Sequence, residues 1–194
     1  AENKNSENNK LKQKELELKE KEHELREREL NVKSQDKTEE KESLSSIYGT
    51  VKKSVYLIYT ENEQGVSQGS AFIIDKSGLA ISNYHVFKDA SSAIAMNEFG
   101  DKFMISEIIE FDKQKDFIIF RLGNQTNIPY LNIAEQTPKI GENVFAVGNP
   151  KGLSQTLSTG IISGFRSENN LLQTTTAITH GSSGGPLFNE KGQV

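Results

Sequence analysis

The sequence predicts an all-β domain, built as two packed barrels or a sandwich and preceded by a charged N-terminal helix. Short apolar runs recur at intervals of about 8–15 residues, with Gly, Asn and Asp turn signals between them and no long amphipathic helix. About a dozen runs in two groups are too many for one small sheet, so two packed layers or barrels are expected.

Charge divides the chain into two parts. Residues 1–43 contain 13 acidic and 11 basic residues and no Gly, Pro or aromatic residue, whereas residues 44–194 contain all 15 Gly and all 15 aromatic residues. The first part, called the stalk below, cannot build a core, while the second is long enough to bury roughly two thirds of its unfolded surface. At the two ends of the stalk, residues 1–10 and 33–43 have the composition of disordered chain.

The middle of the stalk is predicted to form a long solvated helix, because opposite charges recur four residues apart along it. An apolar residue also recurs every seven residues from Leu11 to Val32, which is half of a coiled-coil seam. The other half is charged, because Glu22 and Glu29 occupy it. A homo-oligomer formed through this helix is therefore the alternative to a simple spacer. His23 has no ligand partner at metal-binding spacing and is interpreted as a surface residue.

Ten of these apolar runs define the expected strands. The first group covers residues 54–60, 70–75, 79–82, 92–97, 103–111 and 116–122. The second group covers residues 143–148, 156–165, 170–178 and 186–188. The polar-rich segment 123–142 lies between the groups, and we expect it to connect the two halves of the domain.

Composition excludes several classes of protein. No run of 18 apolar residues is present, so no transmembrane helix is expected, and the polar residues 1–10 are not a signal peptide. The absence of Cys excludes disulfides, zinc–thiolate sites and cysteine nucleophiles, and it fits an extracytoplasmic and a cytoplasmic protein equally well. A net charge of −4 without a basic patch argues against nucleic acid as the main partner.

The hexapeptide at residues 181–186, Gly-Ser-Ser-Gly-Gly-Pro, is the most informative motif. Glycines around a serine allow a tight turn that exposes the hydroxyl and frees N–H groups to face an oxyanion. A plain hairpin turn is the alternative. The G-x-S-x-G spacing around Ser183 also matches the nucleophile elbow of α/β-hydrolases, but there the His follows the serine. Only 11 residues follow Ser183 and none is His, so the base must lie upstream.

Three histidines precede Ser183, and His85 is the best candidate for the base. His23 lies on the charged stalk, and His180 is only three residues from the serine. His85 directly follows the apolar run at residues 79–82, at the end of an expected strand.

Asp116 is the candidate acid, because it opens the apolar run 116–122 and a charge at such a place needs a partner. The order His85, Asp116, Ser183 is that of one known catalytic triad. Asp112 is the rival acid, but it precedes a polar turn rather than an apolar strand.

Six separated motifs, in order, resemble the chymotrypsin-fold serine proteases, specifically the bacterial trypsin-like branch of HtrA (DegP) type. The resemblance covers roughly residues 50–194. The motifs are GSAFII at 69–74, ISNYHV at 81–86, DFII at 116–119, GNPKG at 148–152, GIISG at 160–164 and QTTTAI at 173–178.

The resemblance implies two six-stranded antiparallel β-barrels and a serine endopeptidase that cleaves polypeptides through an acyl-enzyme intermediate. It implies His85 as general base, Asp116 as the acid that orients it and Ser183 as nucleophile, with the N–H groups of Gly181 and Ser183 as the oxyanion hole. No metal or cofactor is needed. It also favours an extracytoplasmic location, periplasmic or secreted.

The resemblance further places two residues at the substrate pocket. Ala177, six residues before Ser183, would lie at the pocket floor, where its small uncharged side chain favours small or medium apolar substrate side chains. His180 would lie on the pocket lip.

The chain departs from the family pattern at its C-terminal end. The sequence reaches Val194 in a turn where the family has a further strand, and no PDZ domain is present. We therefore expect residues 44–194 to form a protease domain whose C-terminal barrel is truncated. The alternative function is a catalytically silent module that keeps the fold and binds peptides or assembles through the stalk.

Overall fold

The chain divides into two units, residues 1–41 and residues 42–194. A computed structural model describes residues 42–123, 126–149, 155–166 and 171–194, together with Lys19, Lys21 and Glu24 of the stalk. Those three stalk residues are helical and exposed. The heptad positions, His23 and the ends of the stalk lie outside the described residues, so the coiled-coil hypothesis stays a prediction.

The first group of strands forms a closed antiparallel barrel, which confirms the all-β prediction. The strands follow one another around the barrel in the order β1-β2-β3-β6-β5-β4. Their bounds are β1 Val55–Asn62, β2 Gly65–Ile73, β3 Leu79–Ser82, β4 Ser92–Met96, β5 Lys102–Asp112 and β6 Phe117–Leu122.

The hairpin between β1 and β2 is longer than expected. Pairing continues out to Asn62 and Gly65, so only two residues form the turn, whereas the expected strands stopped at residue 60 and resumed at residue 70. Gly65 has φ +132°, a conformation that glycine adopts without penalty. The outer residues of both strands are polar and mostly exposed, so no apolar run marks this part of the hairpin.

The barrel interior is filled by alternate residues of its strands. Strand β6 shows the alternation, since its second, fourth and sixth residues are buried. Phe120 is fully buried and its ring packs 5.2 Å from that of Phe87. The other buried members of this cluster are Tyr56, Ile58, Ala71, Ile73, Ala80, Val86, Ala95, Ile118 and Leu122.

The second group of strands forms an open antiparallel sheet of order β10-β7-β8-β9. It is made of β7 Asn143–Gly148, β8 Thr156–Arg166, β9 Leu171–Thr174 and β10 Leu187–Asn189. Among the described residues this sheet has four strands, so its closure into a second six-stranded barrel stays a prediction. Strand β9 ends at Thr174, where the Thr174 hydroxyl accepts the N–H of Thr176 and replaces a ladder partner.

A second apolar cluster joins the barrel to the open sheet. Val55 and Phe72 point outward from the barrel, and Phe145 stacks on Phe188 with ring centroids 4.8 Å apart. This explains why β1 is buried on both faces: one lines the barrel and the other faces this cluster. The remaining buried members are Ile47, Val51, Leu131 and Val147.

Helix α1, Leu44–Val51, precedes the barrel and was not expected from the sequence. The hydroxyl of Ser43 caps it by accepting the N–H of Ser46, and Ile47 and Val51 bury its apolar side. The connection over residues 123–142 contains no helix or strand in its described part. Leu131 anchors it by burying its side chain and donating its N–H to the carbonyl of Ile73.

Candidate active site

His85 is carried by α2, Tyr84–Phe87, a single helical turn that follows β3. Val86 is buried and packs closely on Gly69 of β2, where an added Cβ would lie only 2.6 Å from the Val86 Cγ1. This close packing holds the helical turn against the barrel. The hydroxyl of Thr60 also donates to the Val86 carbonyl. Because Val86 points inward, its neighbour His85 points outward, and its side chain is 53% exposed.

Asp116 contacts His85 at two points. One carboxylate oxygen accepts the main-chain N–H of His85 at 2.8 Å, and the other lies 2.7 Å from its Nδ1. A carboxylate only accepts, so in the neutral imidazole Nδ1 carries the proton and the lone pair of Nε2 faces away from Asp116.

The position of Asp116 differs from the expectation. It does not open β6 as a buried strand residue but precedes the strand in a turn, with φ +55° and a side chain 40% exposed. Aspartate enters this left-handed region more readily than most residues. The turn aims the carboxylate back at His85, which a strand conformation would not do.

Asp112 is turned into its own loop. One carboxylate oxygen accepts the N–H groups of Gln114 and Lys115 at 2.8 and 3.0 Å. These two hydrogen bonds, chiefly that from Lys115 and to a lesser extent that from Gln114, hold the pKa of Asp112 below its ordinary value. This carboxylate closes the β5–β6 turn, whereas Asp116 faces the imidazole.

Ser183 lies in the loop before β10, and the glycines on either side have positive φ angles. Gly181 has φ +96° and Gly184 φ +82°. A side chain at Gly184 would overlap the carbonyl oxygen of Ser70, so only glycine fits there. Among the described residues, the N–H groups of Gly181 and Ser183 donate to no protein acceptor, so both are free to bind an oxyanion.

Ser70 ties this loop to the barrel from within β2. Its N–H donates to the Ser183 carbonyl at 2.7 Å and its hydroxyl to the Gly181 carbonyl at 2.8 Å. The N–H of Asn149 and its side-chain amide in turn approach the Ser70 hydroxyl at 3.2 and 3.3 Å. Ser70 is fully buried, and all of its polar groups are satisfied by these contacts and by the hydroxyl of Ser82.

Asn83 makes the second tie between the two halves. Its side chain accepts the N–H of Gly184 at 2.6 Å and donates to the carbonyl of Asp116 at 2.8 Å. Sequence reasoning missed both Ser70 and Asn83 as individual residues, although each lies in a motif that carries the resemblance. A hydroxyl inside the apolar run at 70–75 was the only signal, since a buried hydroxyl needs partners.

One cavity of about 390 Å³ is lined by both His85 and Ser183. Ala177 is exposed and lies outside its lining, and its carbonyl accepts the hydroxyl of Ser158. A larger cavity of about 1040 Å³ contains none of the residues predicted for catalysis, so its size is unrelated to this chemistry. The smaller cavity is lined by Ser67, Gln68, His85, Val86, His180, Gly181 and Ser183.

Two further observations concern the described residues. No helix among them is long and apolar enough to cross a membrane. No group of three or more His, Asp or Glu side chains among them is arranged to hold a metal ion.

Comparison with known proteins agrees with this fold. The trypsin-like peptidase domain matches residues 69–194, so the chain belongs to the trypsin-like peptidase family. It is 36% identical over 140 residues to Protease Do-like 1, chloroplastic, from Arabidopsis thaliana, which covers 65% of this chain and 31% of that protein. It is 35% identical over 134 residues to serine endoprotease DegS of Escherichia coli K12, covering 65% and 38%. The chain therefore spans about a third of the length of these relatives.

Solved structures show the same fold. A serine endoprotease from Yersinia pestis superposes with a TM-score of 0.72 at 31% identity, covering 79% of this chain and 56% of that one. A variant of the HtrA-type protease AlgW, solved with a tripeptide, gives a TM-score of 0.72 at 27% identity, covering 79% and 52%. The resemblance to HtrA-type proteases is thereby confirmed.

Proposed function

We propose that this domain is a serine endopeptidase that uses Ser183 as nucleophile, His85 as general base and Asp116 as the acid that orients the base. The observation that carries the proposal is the two-point contact of Asp116 with His85, beside the same cavity that Ser183 lines. Family membership and relatives named as serine endoproteases support it.

The first half of the reaction forms an acyl-enzyme. Ser183 Oγ attacks the carbonyl carbon of the scissile peptide bond while His85 Nε2 takes the hydroxyl proton. The charge that develops on the substrate oxygen is stabilised by the N–H groups of Gly181 and Ser183. The C–N bond then breaks, and His85 returns the proton to the departing amine.

The second half hydrolyses the acyl-enzyme. Water attacks the Ser183 ester while His85 accepts its proton, and the proton then returns to Ser183 Oγ as the carboxylic acid leaves. Asp116 keeps its negative charge throughout, holds the Nδ1–H tautomer and stabilises the imidazolium that forms twice in the cycle.

Peptide hydrolysis by two serine variants tests the proposal. Ser183→Ala is expected to lower kcat by about 10⁴ to 10⁶, because a triad stops working as a unit when one member is removed. Ser182→Ala is the matched control, since it removes the neighbouring hydroxyl of the same loop and should keep activity. Peptide binding without hydrolysis in the unmodified chain would support the silent binding module instead.

Ala177 and His180 are proposed to set substrate preference. Ala177 lies outside the cavity shared by His85 and Ser183, and the family resemblance alone assigns it to the pocket floor. It would bring no charge there, so we expect small or medium apolar side chains before the scissile bond. Peptides with Ala or Val at that position should be cleaved faster than peptides with Lys or Arg. Equal or faster cleavage after Lys or Arg would contradict the assignment of Ala177.

An extracytoplasmic location is also proposed. It rests on relatives named as probable periplasmic endoproteases, such as that of Rhizobium meliloti, which is 32% identical over 135 residues. Fractionation of cells that express the natural gene would test it, and recovery in the cytoplasm would contradict it.

A further inference from the structure

Asn83 stands at the N-cap position of α2 but does not act as a cap. An Asn there ordinarily accepts an N–H from the first turn of its own helix. In this structure its side chain makes no such bond, although its main chain has the extended conformation usual for a cap, with φ −77° and ψ 141°. Both ends of its amide are used instead by residues far away in sequence, Asp116 and Gly184.

On one side, Asn83 fixes the peptide that follows the nucleophile. Its Oδ1 accepts the N–H of Gly184 at 2.6 Å. Gly184 joins Ser183 directly and has a φ of +82°, so its N–H direction defines how the nucleophile loop turns. The Asn83 oxygen thereby sets the orientation of the chain at Ser183.

On the other side, Asn83 holds the main chain of the acid. The carbonyl of Asp116 accepts its Nδ2 at 2.8 Å and the N–H of Tyr84 at 3.2 Å. Asp116 has φ +55°, a conformation that persists only where the surroundings hold it. The Asp116 side chain is 40% exposed, so hydrogen bonds rather than packing must do this.

We propose that Asn83 is a positioning residue that couples the acid to the nucleophile. Its rigid, planar amide spans the Asp116 carbonyl and the Gly184 N–H, and so fixes the distance between the His85–Asp116 pair on the barrel and Ser183 on the sheet side. The proposal rests on the proposed roles of those three residues. It differs from a capping role, which would affect stability alone.

Two variants separate the halves of this bridge. Asn83→Ala removes both hydrogen bonds. Asn83→Asp still accepts the N–H of Gly184, but it cannot donate to the Asp116 carbonyl and sets a negative charge against it. If the coupling runs through the acid as well as the nucleophile, both variants are impaired.

The expected effect is on turnover rather than on binding. A small misplacement of reacting groups can cost about a hundredfold in rate, so kcat should fall about 10- to 100-fold while KM changes little. Reaction of Ser183 with a fluorophosphonate should slow in parallel. The low-field proton resonance of His85 Nδ1, hydrogen-bonded to Asp116, should shift or broaden in both variants.

Asn97→Ala is the matched control. The Asn97 side chain also bridges main-chain groups, accepting the N–H of Phe99 and of Asp101 at 2.9 Å, but in the turn between β4 and β5. It should lose stability like the Asn83 variants and leave kcat, labelling rate and the His85 resonance unchanged.

The outcomes distinguish this inference from the proposed function. If the unmodified chain reacts at Ser183 and Asn83→Ala reacts equally fast with an unchanged His85 resonance, the coupling is wrong and the triad stands. If the unmodified chain does not react at Ser183, the proposed function fails, and the His85 resonance alone decides the coupling. If Asn83→Ala does not fold, Asn83→Asp, which keeps the Gly184 bond, decides: normal kcat and an unchanged resonance would overturn the inference.

Discussion

The closed barrel and the open sheet contribute to the site in different ways. In the barrel every strand has two neighbours, and the turns at its rim bring His85 and Asp116 into direct contact. The open sheet has β9 and β10 at its edges, and the loop before β10 carries Ser183.

The difference shows how hydrogen bonds from the closed barrel can fix the position of a loop on the open sheet. His85 and Asp116 are held within one closed structure, whereas the loop that carries Ser183 depends on hydrogen bonds that cross to it. Ser70 and Asn83 make those bonds from the barrel side. The reacting geometry is therefore a property of both halves together, and each half can be perturbed separately.

The largest expected effect comes from breaking the contact inside the barrel half. Asp116→Asn should lower kcat by about 10⁴, because Asn favours the wrong tautomer of His85. Asp112→Asn, in the neighbouring turn, should keep activity because its carboxylate faces Gln114 and Lys115. Assays of both variants on one peptide decide the matter, and the reverse ranking would exchange the two assignments.

Core truncations compare the stability of the two halves. Phe120 fills the barrel and Phe188 lies between the barrel and the sheet, and both are fully buried. Each Phe→Ala change should lower the free energy of unfolding by about 3–5 kcal/mol. Because residues 42–194 form one unit, we expect a single denaturant transition in both variants. Separate transitions in Phe188→Ala would show that the barrel and sheet unfold independently.

Ser70→Ala weakens the connection between the halves. Losing its hydroxyl leaves the Gly181 carbonyl without this donor, which should cost about 1–3 kcal/mol of unfolding free energy. Peptide turnover should also fall. Ser91→Ala is the control, because that hydroxyl bonds the Glu61 carbonyl on the exposed surface. An equal loss of turnover in both would mean that the Ser70 bond does not position the loop.

Removal of the stalk should have the smallest effect. Deleting residues 1–41 spares Ser43, whose hydroxyl caps α1, so the folded unit is kept. We expect unchanged kcat and KM, and light scattering will show whether the full chain is a larger assembly than the deleted one. A loss of the folded domain would contradict the spacer interpretation, and equal particle sizes would contradict assembly through the stalk.

Local sequence pattern predicted much of the fold. Strands β3 and β7 begin and end at the predicted residues, because short apolar runs with clear turn signals on both sides have few alternatives. The outer part of the β1–β2 hairpin was missed because its residues are polar. Helix α1 was missed although Leu44, Ile47, Tyr48 and Val51 have helical spacing, because the segment is only eight residues long and its burial depends on distant partners.

The site was predicted in part for a similar reason. His85, Asp116 and Ser183 were predicted as a triad from their residue types, order and motifs. The structure places His85 beside Asp116 and in one cavity with Ser183, and their catalytic roles stay predictions. The backbone conformation of Asp116 and the contacts of Asn83 were not foreseen. Both depend on bonds between residues 33 and 101 positions apart, and such bonds leave no local pattern.

The central claim is that a base on the barrel activates a serine on the sheet side. Fluorophosphonate labelling tests this claim most directly. Intact mass and peptide mapping of the labelled chain should show a single adduct on Ser183. His85→Ala should label slower by about 10³ or more, because the hydroxyl loses its proton acceptor. An adduct on Ser182 or elsewhere, or equal labelling of His85→Ala, would contradict the assembly of this site across the two halves.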